Sequence, residues 1–259
     1  MTDPTAMYAD RVDWYVRGRP EYPGTLFGVL PGGGLPAGWT VADVASGTGL
    51  LSAPALDNGN RVYGVEPNPA MRAAAERRFT GEPRFTSVDG TAERTGLADA
   101  SVDLVTVGQA LHWFDLASAR AEFARILRPG GSVLLAWNER SAAGSPVQDG
   151  VEALLRAEVA GYAAAADAAT GVVELATAFF GREPLRQVLP NRQLLDQEAL
   201  LGRVLSNSYA PARTDPAWAR LVEGLLLLHT RHAEDGYVRI DYDTWVFLGA
   251  PEGAGDDRD

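Results

Sequence analysis

Apolar runs of strand length recur at 41–45 (VADVA), 61–66 (RVYGVE), 83–89 (PRFTSVD), 102–108 (VDLVTVG) and 132–138 (SVLLAWN). Helical patterns such as AMRAAAERRF and SARAEFARILR lie between most of them. Strands that alternate with helices pair in parallel, because each crossover helix carries the chain back to the same end of the sheet. The spacing therefore predicts an α/β chain with a doubly wound sheet. In such sheets ligands bind beyond the carboxyl ends of the strands, where the strand order reverses. The residues that follow each strand are the ones to read for chemistry.

The rhythm changes after Asn138. Residues 141–183 hold a break, SAAGSPVQDG, and then alanine-rich stretches with spaced leucines and valines that read as two helices, a helical insertion lying over the sheet. PLRQVLPNRQLL (184–195) and GYVRIDYDTWVFLG (236–249) read as two further strands with a helix from about Asp196 to Leu205 between them. The alternation of Val238, Ile240 and Tyr242 suits an antiparallel last strand. This gives one domain over 1–259: a cap or lid at 1–35, a core at 36–140, the insertion at 141–183, the closing strands and helix at 184–249, and an acidic, apolar-poor tail at 250–259.

Composition removes several classes of function. A net charge of −11 leaves no basic stripe for a phosphate backbone, so nucleic acid is not an expected partner. The absence of cysteine excludes disulfides, thiolate nucleophiles and cysteine-bearing metal sites. His229 and His232 stand three apart without a matching carboxylate, so no metal is assigned and both are expected at the surface. No run of about 20 apolar residues offers a membrane span, and MTDPTAMYADRVDW has acids and no apolar leader core, which points to the cytoplasm.

VADVASGTGLLS (41–52) then asks what approaches its backbone so closely. A strand, a glycine turn and a helix can cradle a dinucleotide or a sulfonium nucleoside. A dinucleotide turn wants G-x-G-x-x-G, and here Ser52 stands where the third glycine falls. Asp43 just upstream repels phosphate and welcomes an ammonium. Both features argue against a dehydrogenase.

These residues resemble the first motif, D-x-G-x-G-x-G, of the class I S-adenosylmethionine-dependent methyltransferases, and more narrowly the type 11, trans-aconitate methyltransferase-like branch. The resemblance covers roughly 8–140 well and 196–249 loosely. It implies a Rossmann-like sheet of seven strands and S-adenosyl-L-methionine as cofactor. Asp43, Ala45, Gly47 and Gly49 match the motif; Ala45 replaces its first glycine, a change a backbone with negative φ tolerates. Glu66, ending VYGVE, matches the acid that accepts both ribose hydroxyls. Pro67 and Met71 resemble the adenine wall. Thr91 stands where the family commonly has an aspartate toward the adenine amino group, and the Ala92 amide would reach a ring nitrogen. LRPGG (127–131) matches the family's turn between a helix and a strand.

The resemblance also implies an acceptor side. GQALHWFD (108–115) follows the fourth strand, so the backbone around Gln109 would line the methionine end, with His112 and Trp113 facing the acceptor. His112 is the candidate base and Trp113 a substrate contact. In DWYVRGRPEYP (13–23), Tyr15 and Arg19 would fold over the cofactor, Arg19 meeting its carboxylate. RVLSNSYAPA (203–212) offers Tyr209 to the substrate. A nucleic-acid methyltransferase would want an Asn/Asp-Pro-Pro-Tyr/Phe motif after the fourth strand, and none is there, so the expected acceptor is a small molecule. The resemblance, in which the tryptophan meets a substrate carboxylate, implies methylation at oxygen, of a carboxylate or of a phenol or hydroxyl. The competing class is a cofactor-bound cyclase, isomerase or non-catalytic partner on the same fold. A homodimer is compatible with either.

Overall fold

The computed structural model describes residues 12–142, 144–167 and 171–251. The tail from 252, and residues 1–11 of the cap and of the stretch read for a leader, lie outside the described residues. Seven strands form one sheet: β1 (Thr40–Val44), β2 (Arg61–Val65), β3 (Phe85–Val88), β4 (Val102–Gly108), β5 (Leu127–Arg140), β6 (Leu185–Leu195) and β7 (Val238–Gly249). Their order is β3-β2-β1-β4-β5-β7-β6, with β7 and β6 antiparallel at the edge. The chain is thus an α/β protein, as the alternation predicts, with the seven-stranded, Rossmann-like sheet that the resemblance implies. β1 pairs in parallel with both β2 and β4, so the strand order reverses beside it.

The helices are α1 (Val12–Gly18), α2 (Ser52–Asp57), α3 (Pro69–Arg78), α4 (Leu116–Ile126), α5 (Pro146–Glu158), α6 (Tyr162–Asp167), α7 (Val172–Phe180), α8 (Gln197–Leu205) and α9 (Pro216–His232). Side-chain caps fix several starts: Asn68 accepts from the Ala70 and Met71 amides, Asp115 from Ser118, Asp196 from Ala199, and Asp215 from Ala217. Such a cap is worth about 1 kcal/mol.

Residues group into two compact units, one of 1–21, 139–170 and 190–243, the other of 22–138, 171–189 and 244–259, within the described limits. The second unit holds the sheet's central strands. Val41, Leu104 and Leu134 pack on one face with Leu26, Phe27 and Leu56. Ala42, Val44, Val105 and Leu135 pack on the other with Phe123 and Ile126 of α4 and Phe179 and Phe180 of α7. Burial on both faces is why these strands read as near-continuous apolar runs. The insertion inferred at 141–183 is divided: α5 and α6 belong to the first unit and α7 to the second.

In the first unit α5, α8 and α9 bury Val151, Leu155, Leu200, Val204, Leu221 and Leu225 in one cluster with Ile240 and Tyr242. α1 meets α8 backbone to backbone. A Cβ on Gly18 would lie 2.0 Å from the Arg203 nitrogen, and one on Gly202 would lie 2.8 Å from the Trp14 carbonyl. Two further readings are corrected. LRPGG is no free turn, because strand pairing jumps from Val102–Leu127 to Leu104–Ser132, and the excess residues bulge inside β5 around Gly130 at φ +81°. His229 is buried at 8% exposure on the inner side of α9, whereas a surface position was expected.

Candidate functional site

The second unit builds a site at the carboxyl ends of β1, β2 and β4. The chain leaves β1 through Ala45 (φ +55°), Gly47 (φ +56°) and Gly49 (φ +82°). Ala45 therefore occupies the left-handed region, and the expectation of negative φ there is overturned. The methyl that replaces glycine costs about 1–2 kcal/mol of backbone strain. Gly49 cannot carry a side chain for a second reason: its Cβ would lie 2.4 Å from the Phe79 ring.

Glu66 ties this loop to the end of β2. Its Oε2 accepts from the Gly47 amide at 3.0 Å and its Oε1 from the Asn68 amide at 2.8 Å. Each oxygen keeps one lone pair. Burial pushes the Glu66 carboxyl above the usual carboxylate range, while the two amides hold it back. Asp43 behaves otherwise. As Val41 does, it points into the sheet's packed face, where it is fully buried and accepts from the Ser52 hydroxyl at 2.6 Å and the Thr106 hydroxyl at 3.2 Å. Desolvation pushes it up to about 7. The structure thus spends this carboxylate on the loop's own scaffold, away from the open space in which an ammonium was expected.

Beyond β3, the Thr91 amide donates to the Arg94 carbonyl and the Arg94 amide to Thr91, closing a tight turn. Thr91 is exposed, while Ala92 and Met71 are each 4% exposed and Pro67 is half-buried. This loop is held by residues that the sequence did not single out. Glu122 of α4 accepts from both the amide and the hydroxyl of Thr95, at 2.7 and 2.6 Å, and from Arg125, which also donates to the Leu97 carbonyl. Gly90 packs so tightly on the Thr95 carbonyl that a Cβ would lie 2.6 Å from it.

At the end of β4, Gln109 is a second non-glycine residue in the left-handed region (φ +59°); its amide donates to the Ala136 carbonyl and its side chain to the Asn138 carbonyl. Strained non-glycine backbone of this kind collects at functional sites. Tyr22 reaches the same strand end: a Cβ on Gly108 would lie 2.5 Å from its hydroxyl. A single 3-10 turn, Leu111–Trp113, then presents His112 and Trp113, whose rings stand 4.8 Å apart. Trp113 is 40% exposed. Desolvation by the surrounding protein lowers the His112 pKa below 6.5, so the imidazole is neutral at pH 7. The structure therefore brings Ala45, Gly47, Gly49, Glu66, Pro67, Met71, Thr91, Ala92, Gln109, His112 and Trp113 into one unit. Ser52, Thr106 and Asn68 shape the site although no sequence motif assigns them to it, Ser52 counting there only for the glycine it displaces; Tyr22 lies in the PEYP corner (20–23) that the resemblance folds over the cofactor.

Tyr15, Arg19 and Tyr209 belong to the first unit. Arg19 stacks over the Tyr15 ring at 4.8 Å and donates to the Ser206 carbonyl at 3.3 Å. Its Nε and the Ser206 hydroxyl are buried without a hydrogen-bond partner among the described residues. Tyr209 packs edge-on against Tyr162, 4.8 Å between ring centres. Among the described residues no group of histidine and carboxylate side chains could hold a metal ion, and no helix is long and apolar enough to cross a membrane.

Comparison with known proteins fits this geometry. Residues 42–135 match the family described as "Methyltransferase domain". A methyltransferase of Mycobacterium tuberculosis, itself uncharacterised, is 40% identical over 139 residues, 53% of this chain and 54% of that one. A demethylmenaquinone methyltransferase of Chlorobaculum parvum is 39% identical over 93 residues, 35% of this chain and 37% of that one. The chain spans about half the length, or less, of these curated relatives. A solved structure assigned as a type II methyltransferase of Anaeromyxobacter dehalogenans superimposes with a TM-score of 0.63 at 25% identity, over 90% of this chain and 99% of that one. With the glycine loop, the Glu66 clamp and the strand reversal beside β1, residues 42–135 form a methyltransferase domain on the class I fold.

Proposed function

We propose that the protein transfers a methyl group from S-adenosyl-L-methionine to an oxygen of a small molecule, a carboxylate or a phenol or hydroxyl, as the trans-aconitate methyltransferase-like branch does. The observation that carries the cofactor is the Glu66 clamp. Two backbone amides occupy one lone pair on each carboxylate oxygen, leaving two acceptors side by side, the complement of a ribose diol. A phosphate there would meet a carboxylate. Buried Met71 and Ala92 supply apolar surface for a purine, and the Thr48 hydroxyl in the glycine loop is buried without a partner among the described residues.

The cofactor, when bound, supplies an electrophilic methyl on a sulfonium. The protein's share is alignment, desolvation and, for an acceptor that must lose a proton, a base. Neutral His112 can take that proton at its ring nitrogen, or orient an acceptor that is already ionised. Trp113 offers an exposed aromatic face beside it. The Chlorobaculum relative, named for a quinone-type acceptor, supports a small-molecule substrate. The test is calorimetric titration with S-adenosylhomocysteine and with NAD. Micromolar binding of the first and none of the second is expected; the reverse would end the proposal.

A further inference from the structure

β5 ends at Arg140, in the first unit, and this side chain is half engaged. Its Nη2 donates to Glu152 Oε2 at 2.7 Å and to the Tyr162 hydroxyl at 3.2 Å. The Tyr162 hydroxyl donates in turn to Glu152 Oε2 at 2.8 Å, and Glu152 Oε1 accepts from Arg156 at 2.8 Å. Arg156 also pairs with Asp167. Both Glu152 oxygens are thus engaged, by two guanidinium groups and a phenol. Arg140 keeps spare donors, because its Nε and Nη1 have no hydrogen-bond partner among the described residues. Its side chain is 29% exposed and so is partly open to solvent. Burial disfavours its charge, but the Tyr162 and Tyr209 hydroxyls and Glu152 outweigh this. Tyr209, standing on the Tyr162 ring, has no hydrogen-bond partner for its own hydroxyl among the described residues. Glu139, the neighbouring acid, projects from the opposite face of the strand and is near Asp243.

We propose that Arg140 and Tyr209 form a receptor for the carboxylate of a small molecule, with Glu152 and Tyr162 as positioning residues. Nη1, with both hydrogens free, donates to one oxygen of the carboxylate, and the Tyr209 hydroxyl is a second donor. Glu152 holds Nη2 and so fixes the plane of the guanidinium. The two tyrosine rings supply an apolar wall for whatever the carboxylate is attached to. The ligand class is that of the carboxylate acceptor proposed above, and the inference rests on that reading in this respect alone.

The experiment titrates benzoate, hexanoate and the neutral isostere benzamide into the full chain, with and without S-adenosylhomocysteine, by calorimetry. At least one carboxylate should bind, and benzamide should bind at least ten-fold more weakly. Arg140→Gln should weaken the carboxylate about 10–100-fold, the loss of a charge-assisted pair; Arg140→Lys should recover part of this, and Tyr209→Phe should lose about 3–10-fold. Unfolding curves of each variant are recorded alongside, so that a variant too unstable to titrate is replaced by the Lys variant. No binding by either carboxylate, equal binding of benzamide, or unchanged binding by Arg140→Gln would overturn the proposal. A methyl-transfer arm separates the sources of the ligand. A labelled methyl ester whose KM rises in Arg140→Gln while kcat holds identifies the acceptor; binding without ester leaves the receptor standing and removes the carboxylate-acceptor reading. Failure of S-adenosylhomocysteine to bind would sink the methyltransferase proposal, while the titrations without it still decide this one.

Discussion

The Gly47 amide donates to Glu66 Oε2 at 3.0 Å, so the glycine loop after β1 and the acid after β2 act as one part. Glu66→Ala removes both the loop's anchor and the proposed ribose acceptor. Hydrogen bonds to a charged group carry about 1.5–3 kcal/mol, so affinity for S-adenosylhomocysteine should fall at least ten-fold. Because burial raises the Glu66 pKa, wild-type affinity should begin to fall on acidification above the usual carboxylate range. Calorimetry across pH 4–8 checks both; unchanged affinity in the alanine variant would remove Glu66 from the site.

Ala45 holds φ at +55°, where glycine is at ease and alanine is not. Ala45→Gly relieves that strain but loosens the unfolded chain, two effects of similar size. The net expectation is a gain of up to about 1 kcal/mol in unfolding free energy, with cofactor affinity unchanged or better. Urea unfolding measures it; a loss of stability would mean that the methyl packs usefully.

Gly18 and Gly202 let α1 lie against α8. Gly18→Ala places a methyl inside the Arg203 backbone, a clash that no rotamer relieves. Destabilisation of about 1–3 kcal/mol or more is expected, with amide exchange quickening first in α1. Uniform exchange across the chain would contradict a local role.

Asp43 titrates near 7 in the folded protein and near 3.8 when unfolded. The native state therefore holds the extra proton, and stability is full below about pH 4, declines as pH rises to about 7 and is level above. Asp43→Asn keeps both hydroxyl partners, since an amide can donate to Ser52 and accept from Thr106. The stability difference between wild type and variant should thus change between pH 4 and 7 and nowhere else. A difference flat with pH would show that Asp43 is ionised in the fold.

Strand positions were legible because period and length state them: β4 coincides with its run at 102–108, and β1 and β2 differ from theirs by one residue. The inward turn of Asp43 was also legible, since strand alternation puts it on the same face as Val41. The left-handed φ of Ala45 was hidden, because side-chain pattern does not report a dihedral; the glycine usual at that position was the available signal. Nothing local announces the cluster of Arg140, Glu152, Tyr162 and Tyr209, which comes from four elements spread over seventy residues.

His112 separates the acceptor classes. Its pKa lies below 6.5 because the surrounding protein desolvates it, so the basic form persists through neutral pH. For a phenol the proton must leave, and kcat/KM should rise with pH to a plateau, with its midpoint below the ordinary histidine value of 6.5; His112→Asn should cost about 10²–10⁴-fold. For a carboxylate, ionised throughout, the profile from pH 6 to 8 should be flat and the Asn variant should keep much of its turnover. The pH–rate profiles of both proteins under saturating cofactor decide between them. A phenol methylated with equal speed by the Asn variant would show that solvent takes the proton and that His112 only orients the ring against Trp113.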